Sequence, residues 1–402
     1  MVNVIGLGYI GLPTALILAA HGTDVVGTDL KESLISKLNA GETTFKEPGL
    51  DPLFHQAIAK SIRFTTEYQK TDTYIISVPT PYDAFSKKVD VCYVLKAFEA
   101  VLRVCEDDTI IVIESTISPG TIDKALRPRI AGCGKNIHLV HAPERIIPGN
   151  MLYELVHNNR VIGADDPETG EQIKSLYATF CKGEIVVTSI KAAEMSKVVE
   201  NTFRAVNIAF ANELTQICRH DNMDVREIIR ICNLHPRVNI LSPGPGVGGH
   251  CISVDPWFLV GDYPSLTKVI GAAMEVNSHM PEFVIERIRT VMEQRNITDP
   301  SRVGLYGITY KEDVDDVRES PTLQLLNFQK AHLAQPLKVF DPLVPQDLVP
   351  SQYHDLDDFL RDVDMVVIMV GHKQFLEQAE KFRSKVILDT RNIYPFPGAY
   401  TL

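Results

Sequence analysis

The sequence has no apolar run approaching the roughly 18 to 20 residues that a membrane-spanning helix needs; its longest such stretches are of the kind MVVIMV at 365–370. It also has no CxxC pair. The seven cysteines, at 92, 105, 133, 181, 218, 232 and 251, are odd in number and scattered, which argues against a disulfide framework and against a metal site and leaves most of them as reduced core residues. Basic charge is scarce. A formal net charge of −11 disfavours generic binding to nucleic acid or to an anionic membrane, since both use clustered Lys and Arg; an anionic ligand has to be held by a few local cations. No leader with a basic start and a small-residue cleavage site precedes VNVIGLG, so the expected location is the cytoplasm. What is present is a 402-residue chain with 45% hydrophobic and 23% charged residues, enough for two or three domains with real cores.

The first thirty residues, VNVIGLGYIGLPTALILAAHGTDVVGTDL, read as strand 2–5, a glycine turn, a helix to about 21, and strand 24–28 ending at Asp29. This is a dinucleotide fingerprint in its required context. Gly6 permits the tight turn, Gly8 lets backbone approach a pyrophosphate, and Gly11 lets the helix pack on the strand, with Tyr9 and Ile10 between them at the helix N-terminus. Asp29 is placed to accept both ribose hydroxyls of NAD and to repel the extra phosphate of NADP, although Lys31 nearby leaves NADP open. Strands at 73–78 and 109–114 each run into a turn carrying threonine, Thr80 in VPTP and Thr116 in ESTISPG. HLVHAPERIIPG (138–149) reads as a further strand whose following loop brings Glu144, Arg145 and Ile146 to the same rim. Taken singly each threonine is as well explained by its turn; their shared placement points to cofactor contact.

From about 190 the texture changes. KAAEMSKVVENTFRAVNIAFANELTQIC has helical periodicity and no internal Gly or Pro, which predicts one long helix. Lys197, Asn201 and Arg204 fall at i, i+4 and i+7 on one face, either a solvated stripe or, given the apolar surroundings, the lining of a cleft. Helix is expected again at 224–234 and through about 295. The last third repeats the first in outline, with strands at 302–311, 337–342, 364–371 and 385–392 and a helix opening near Ser320-Pro321. Its second strand ends in an acid, Asp341, but the full GxGxxG is missing, so it reads as a doubly wound domain with a different ligand. Lys311, Arg318 and Arg391 in its loops suit a nucleotide diphosphate or a carboxylate, with surface salt bridging as the other reading. Between these parts GPGVGGHCISVDP (244–256) sets a single thiol, Cys251, behind a glycine run and His250, a setting no core thiol needs.

GLGYIGLP, VPTP, ESTISPG, APERIIPG, AEMSKVVENTFRAVNIAFANE, HPRVN, GPGVGGHC, TYKEDVDDVRES and DTRN together resemble the UDP-glucose/GDP-mannose dehydrogenase family over nearly the whole chain. The resemblance implies an α/β fold: two doubly wound Rossmann-like domains joined by a central all-helical dimerisation domain, with boundaries expected at 1–188, 189–296 and 297–402. It implies NAD-dependent oxidation of a sugar C6 alcohol, twice, to a carboxylate. HPRVNILSPGPGVGGHCISVDPWF and ENTFRAVNIAFANEL are closer to the branch acting on UDP-N-acetyl-D-mannosamine, so a UDP-amino sugar is the expected substrate, with UDP-GlcNAc, UDP-GalNAc or UDP-glucose as alternatives. Two further positions bear on the sugar: Pro148 stands where the glucose branch often has glutamate, and His250, where that branch has a small hydroxyl residue, could tune the thiol.

By the same resemblance Cys251 is the nucleophile of the second oxidation, with Gly248 and its neighbours making room for the sugar. Lys197 handles protons and stabilises oxyanion character, Asn201 holds the reacting oxygen, and Asp255 serves the hydrolytic water with Glu144 and Thr116. Arg145, Ile146 and Arg204 line the sugar pocket; Tyr310, Lys311 and Arg391 grip UDP; Arg318 reaches the cofactor. His235 and Arg237 are expected to act in trans across a homodimer. A protein that only senses NAD or nucleotide sugar would need no thiol, and a two-electron hydroxyacid dehydrogenase would leave both Cys251 and the last domain without a use.

Overall fold

The structure, a computed structural model of the chain, describes residues 1–83, 85–249, 251–332 and 336–402; His250 lies outside the described residues. The chain divides into two compact units, Met1–Glu200 and Asn201–Leu402.

The first unit is built on strands β1 (Val2–Ile5), β2 (Val25–Thr28), β3 (Arg63–Thr65), β4 (Thr73–Ile76), β5 (Thr109–Ile113), β6 (Ile137–His141), β7 (Arg160–Ala164) and β8 (Ile185–Thr188). They form one sheet in the order β3-β2-β1-β4-β5-β6-β7-β8. VNVI, TYII and TIIVI are apolar, rich in β-branched residues and almost wholly buried, the pattern of a sheet covered on both faces. The first six strand positions have the doubly wound order that places ligands outside the strands' carboxyl ends.

Sequence patterning missed β3, whose three residues are too few to show a period, and β7, which runs antiparallel to β6 with Val140 opposite Ala164 and His141 opposite Gly163. That reversal matters for the site. In a parallel array only the last residues of strands reach the ligand rim, whereas a reversed strand delivers its first residue, here Arg160, to the same edge.

The helix Ile190–His220 is unbroken for 31 residues because nothing in it interrupts the ladder, and the division between the units falls within it. The second unit continues with helices Val225–Cys232, Asp255–Asp262 and Lys268–Gln294. Its sheet comprises β9 (Val303–Tyr306), β10 (Lys338–Phe340), β11 (Gln352–Tyr353), β12 (Met365–Ile368), β13 (Val386–Asp389) and β14 (Tyr400–Thr401). The order is β11-β10-β9-β12-β13-β14 and every pairing is parallel, so the doubly wound pattern recurs. Helix Pro321–His332 opens on proline, as the sequence suggests.

The acids that end the second strand of each sheet differ in what they have left to give. Asp29 accepts the Leu7 N–H at 2.9 Å and the Lys31 N–H at 2.9 Å and stays partly exposed. Asp341 is buried and fully occupied: Oδ2 takes the Ile308 N–H at 2.6 Å and the Thr309 N–H at 3.1 Å and lies 3.3 Å from His372 Nε2, while Oδ1 takes the Leu343 N–H at 2.8 Å. Burial opposes the Asp341 charge, but His372 and the surrounding N–H groups outweigh it and hold the carboxyl below its ordinary value. A depressed carboxylate gives its full stabilisation above the ordinary Asp range and loses it as pH falls through the native value. Asp341→Asn should therefore cost about 1–3 kcal/mol at pH 7 in denaturant titrations, with the gap to wild type closing toward acid pH; a gap independent of pH would remove the charge as its source.

Candidate active site

The fingerprint glycines of the first unit divide by what a side chain would meet. At Gly6, φ is +87° and a Cβ would lie 2.4 Å from the Ser77 carbonyl oxygen; at Gly11 it would lie 1.8 Å from the Gly6 carbonyl oxygen. Both positions are closed by backbone. At Gly8 nothing lies within 4 Å, so the surface there is open to a ligand at the N-terminus of helix Gly11–Ala20, where free N–H groups and the helix dipole favour a diphosphate. Tyr9 packs on Phe45 with ring centroids 4.5 Å apart, and Ile10 packs against the core. With Asp29 facing the rim, the residues present fit NAD.

Thr80 is buried and Thr116 half-buried, and among the described residues neither hydroxyl is hydrogen-bonded. Ser115, which sequence reading passed over, stitches their loops together: its Oγ accepts the Val78 N–H at 2.9 Å and donates to the Val78 carbonyl at 2.8 Å.

Glu144 is buried with both oxygens engaged inside the unit. Oε1 accepts the Arg145 N–H at 2.6 Å, and Oε2 accepts from Arg160 Nη2. Arg160 also lies 3.8 Å from Glu114, whose carboxyl is pushed up to about 7 by burial, with Arg160 opposing and Glu144 adding to the shift. Tyr177 Oη donates to Glu114 at 3.2 Å and Thr14 Oγ1 at 3.3 Å. One guanidinium thus serves two carboxyl groups, and it is fully buried between them over the Tyr177 ring, 4.3 Å from its centroid. Arg145 pairs with Glu200 at 2.6 Å, and Ile146 is part of the apolar core.

On the long helix, Glu194 accepts the Gly120 N–H at 2.6 Å and the Ile122 N–H at 3.0 Å, tying that helix to the turn after ESTISPG. One turn on, Lys197 is 6% exposed, yet among the described residues its ammonium has no hydrogen bond or ion pair.

The second unit brings three expected residues together. Asn201 Nδ2 donates to Asp255 Oδ2 at 2.6 Å, both residues being buried, and the Cys251 carbonyl accepts the Asp255 N–H at 2.8 Å, so the thiol's turn leads directly into helix Asp255–Asp262. The glycine run packs on the loop after β9. A Cβ at Gly248 would lie 2.6 Å from the Glu319 carbonyl oxygen and 2.7 Å from Tyr310 Cβ, and one at Gly249, where φ is +84°, would enter the Tyr310 ring at 2.8 Å. The Gly249 N–H donates to the Arg318 carbonyl at 2.9 Å. Burial pushes the Tyr310 hydroxyl up to about 12, so it is a donor at neutral pH.

The cations of this unit are differently committed. Arg318 pairs with Asp316 at 2.6 Å, and Arg391 lies 3.8 Å from Glu312 with its guanidinium 2.8 Å from where a Gly244 Cβ would stand. Arg204, His235 and Arg237 are exposed; among the described residues the Lys311, Arg204 and Arg237 side chains have neither ion pair nor hydrogen bond. Sequence reading also missed the amides that hold the preceding loop. Asn207 Nδ2 donates to the Asn239 carbonyl at 2.8 Å and its Oδ1 accepts the Leu241 N–H at 2.9 Å; Asn212 Oδ1 accepts the Gly244 N–H at 3.0 Å while its Nδ2 bonds Asn277 at 2.9 Å. Asparagine is a poor helix-interior residue, and its recurrence in ENTFRAVNIAFANEL was the available signal.

A doubly wound unit shaped for NAD, followed by a thiol-bearing helical segment and a second doubly wound sheet whose loops carry Lys311, Arg318 and Arg391, defines an NAD-dependent dehydrogenase that also takes a second nucleotide. Comparison with known proteins makes the class narrower. Models of the UDP-glucose/GDP-mannose dehydrogenase family match its NAD binding domain at residues 1–181, its central domain at 191–279 and its UDP binding domain at 304–395. The UDP-N-acetyl-D-mannosamine dehydrogenase of Methanococcus vannielii is 41% identical, covering 97% of this chain and 92% of the relative. The NDP-N-acetyl-D-galactosaminuronic acid dehydrogenase of Ralstonia nicotianae is 38% identical over 98% and 96% of the two chains. Among solved structures, the UDP-N-acetyl-mannosamine dehydrogenase of Staphylococcus aureus aligns with a TM-score of 0.89 at 38% identity, covering 100% of this chain and 97% of that one. The chain belongs to the UDP-glucose/GDP-mannose dehydrogenase family and is an NAD-dependent nucleotide-sugar dehydrogenase acting on a UDP-sugar. No helix among the described residues is long and apolar enough to cross a membrane.

The glycines separate folding from binding. Gly8→Val should leave the thermal midpoint within about 2 °C while weakening NAD binding at least ~10-fold; Gly11→Ala should lower the midpoint by about 5 °C or more. An equal loss of stability in both, by calorimetry, would mean that Gly8 is packed rather than open.

Proposed function

We propose that the chain oxidises UDP-N-acetyl-D-mannosamine at C6 to UDP-N-acetyl-D-mannosaminuronate, with two NAD and one water consumed and two NADH released per sugar. What carries this reading is the Cys251–Asp255–Asn201 arrangement: a two-electron alcohol oxidation has no use for a thiol, and here one stands at the head of the turn whose carboxylate is held by a buried amide. Full-length relatives bearing the mannosamine name support the sugar. The Ralstonia relative favours UDP-N-acetylgalactosamine as the second reading.

Bound NAD supplies the hydride acceptor. The rest falls to the chain. Lys197 takes the hydroxyl proton in the first oxidation, and its returning charge stabilises the oxyanion. Asn201 holds that oxygen. The Cys251 thiolate adds to the aldehyde carbon, giving a thiohemiacetal; loss of its C–H hydride leaves a thioester. Asp255 orients the water that cleaves the C–S bond, returning the thiol and releasing the carboxylate. Glu144 and Thr116 assist Asp255 with that water. Tyr310, Lys311 and Arg391 hold the UDP moiety, with Arg204 and Arg145 toward the sugar and Arg318 toward the cofactor. Purified protein should form two NADH per UDP-N-acetylmannosamine, and Cys251→Ser should lose uronate formation. One NADH per sugar in the wild type would refute the four-electron chemistry, and turnover only with another UDP-sugar would reassign the substrate.

The same reading includes a homodimer. Phe203, Phe210 and Ile217 recur every seventh residue on the long helix and are 65%, 51% and 49% exposed, an apolar stripe suited to a second copy of itself. The exposed Arg237 then serves the partner's site. Cys251→Ser and Arg237→Ala, each inactive alone, should on mixing and subunit exchange recover about one quarter of wild-type activity, since half the dimers carry one intact site; no recovery despite exchange, followed by sedimentation of tagged chains, would place Arg237 in its own subunit's site.

A further inference from the structure

His141, the last residue of β6, belongs to no role assigned above. It is completely buried, and its Nδ1 lies 2.9 Å from the Ile113 carbonyl oxygen. A carbonyl only accepts, so Nδ1 carries the proton and donates; Nε2 is then a bare lone pair. That Nε2 is buried and, among the described residues, has no hydrogen-bond partner. Burial pushes the imidazole down to about 3, against the raising effect of the Ile113 bond and with the nearby Lys197 charge adding to the shift, which favours the neutral ring at pH 7. Across the sheet His141 pairs with Gly163, where a Cβ would lie 2.7 Å from Ala193 Cβ, one turn before Lys197 on the long helix; the imidazole and the ammonium are therefore neighbours within one unit.

We infer that His141 is a positioning residue for Lys197, acting through a single bridging water that donates to Nε2 and accepts one N–H of the Lys197 ammonium. The neutral ring gives the cation an acceptor without a counter-charge. A carboxylate in the same place would bind the ammonium as a salt bridge and hold it protonated; a lone pair aims it and leaves it free to give up and regain its proton. The carbonyl of Ile113 sets the tautomer from behind, as carboxylates and carbonyls do for histidines that bind metals.

The inference rests on the proposed role of Lys197, and the test keeps the two apart. His141→Gln places an amide oxygen or nitrogen near the Nε2 position and gives up the bond to Ile113; His141→Asn retains a donor for Ile113 and gives up the acceptor. With NAD saturating, His141→Asn should lower kcat by about 10-fold or more with KM for the nucleotide sugar within about two-fold. His141→Gln should stay within about three-fold of wild type. The reverse ranking would show that the bond to Ile113 is what matters and would overturn the inference, as would wild-type kcat in both variants or an equal loss in both with a lowered thermal midpoint. Lys197→Ala, measured alongside, tests the reading beneath: unchanged turnover there removes Lys197 from the chemistry, whereas loss there with normal His141→Asn removes His141 alone.

Discussion

Close approach of backbone to backbone, with no room for a Cβ, is the constraint on which both units depend. In the first, Gly11 rests on the Gly6 carbonyl so that the helix can start where its N–H groups are useful. In the second, Gly248 and Gly249 rest on Tyr310 and on the Glu319 carbonyl so that the segment carrying Cys251 lies flat against the loop after β9. Neither contact supplies much attraction. Each instead decides which surfaces remain open, and the contrast between closed Gly11 and open Gly8 is the clearest instance: three glycines in one motif, two filled by protein and one left to a ligand.

Around these surfaces the charges are of two kinds. Some are consumed by the fold: Asp341 by four donors, Glu194 by two backbone N–H groups, and Glu144 by Arg160 and its neighbouring amide. Others have no partner among the described residues, Lys197 and Lys311 among them. The consumed charges fix backbone, and the unmatched ones leave charge for a ligand to meet. A doubly wound sheet can thus be used twice in one chain for different nucleotides, because a single acid at the end of the second strand is offered in one copy and walled in by the other.

Much of this was legible in the residues. Continuous apolar runs bounded by glycine turns marked most of the strands of the two sheets, and an uninterrupted 3.6-residue pattern marked the long helix, since burial on two faces and burial on one stripe leave different periodicities. Cys251 stood out because its surroundings suit no core thiol. What escaped was whatever depends on a partner far along the chain. Arg160 lies in a short strand of unremarkable composition, and its importance comes from the reversal of β7, which local pattern does not encode. His141 reads as one more strand residue until the carbonyl behind it sets its proton. Ser115 and the asparagines of the long helix act only through loops that fold back onto them.

The shared guanidinium has a consequence for how this sequence can drift. Arg160, Glu114 and Glu144 form one buried cluster of charge: replace the arginine alone and two carboxyl groups are stranded; replace one glutamate and the balance shifts onto the other. Each single step is penalised, while a concerted exchange for apolar groups need not be. The three positions are therefore one heritable trait rather than three, and Glu114, whose carboxyl burial already pushes toward its neutral form, is the member whose replacement by an uncharged residue disturbs the charge least.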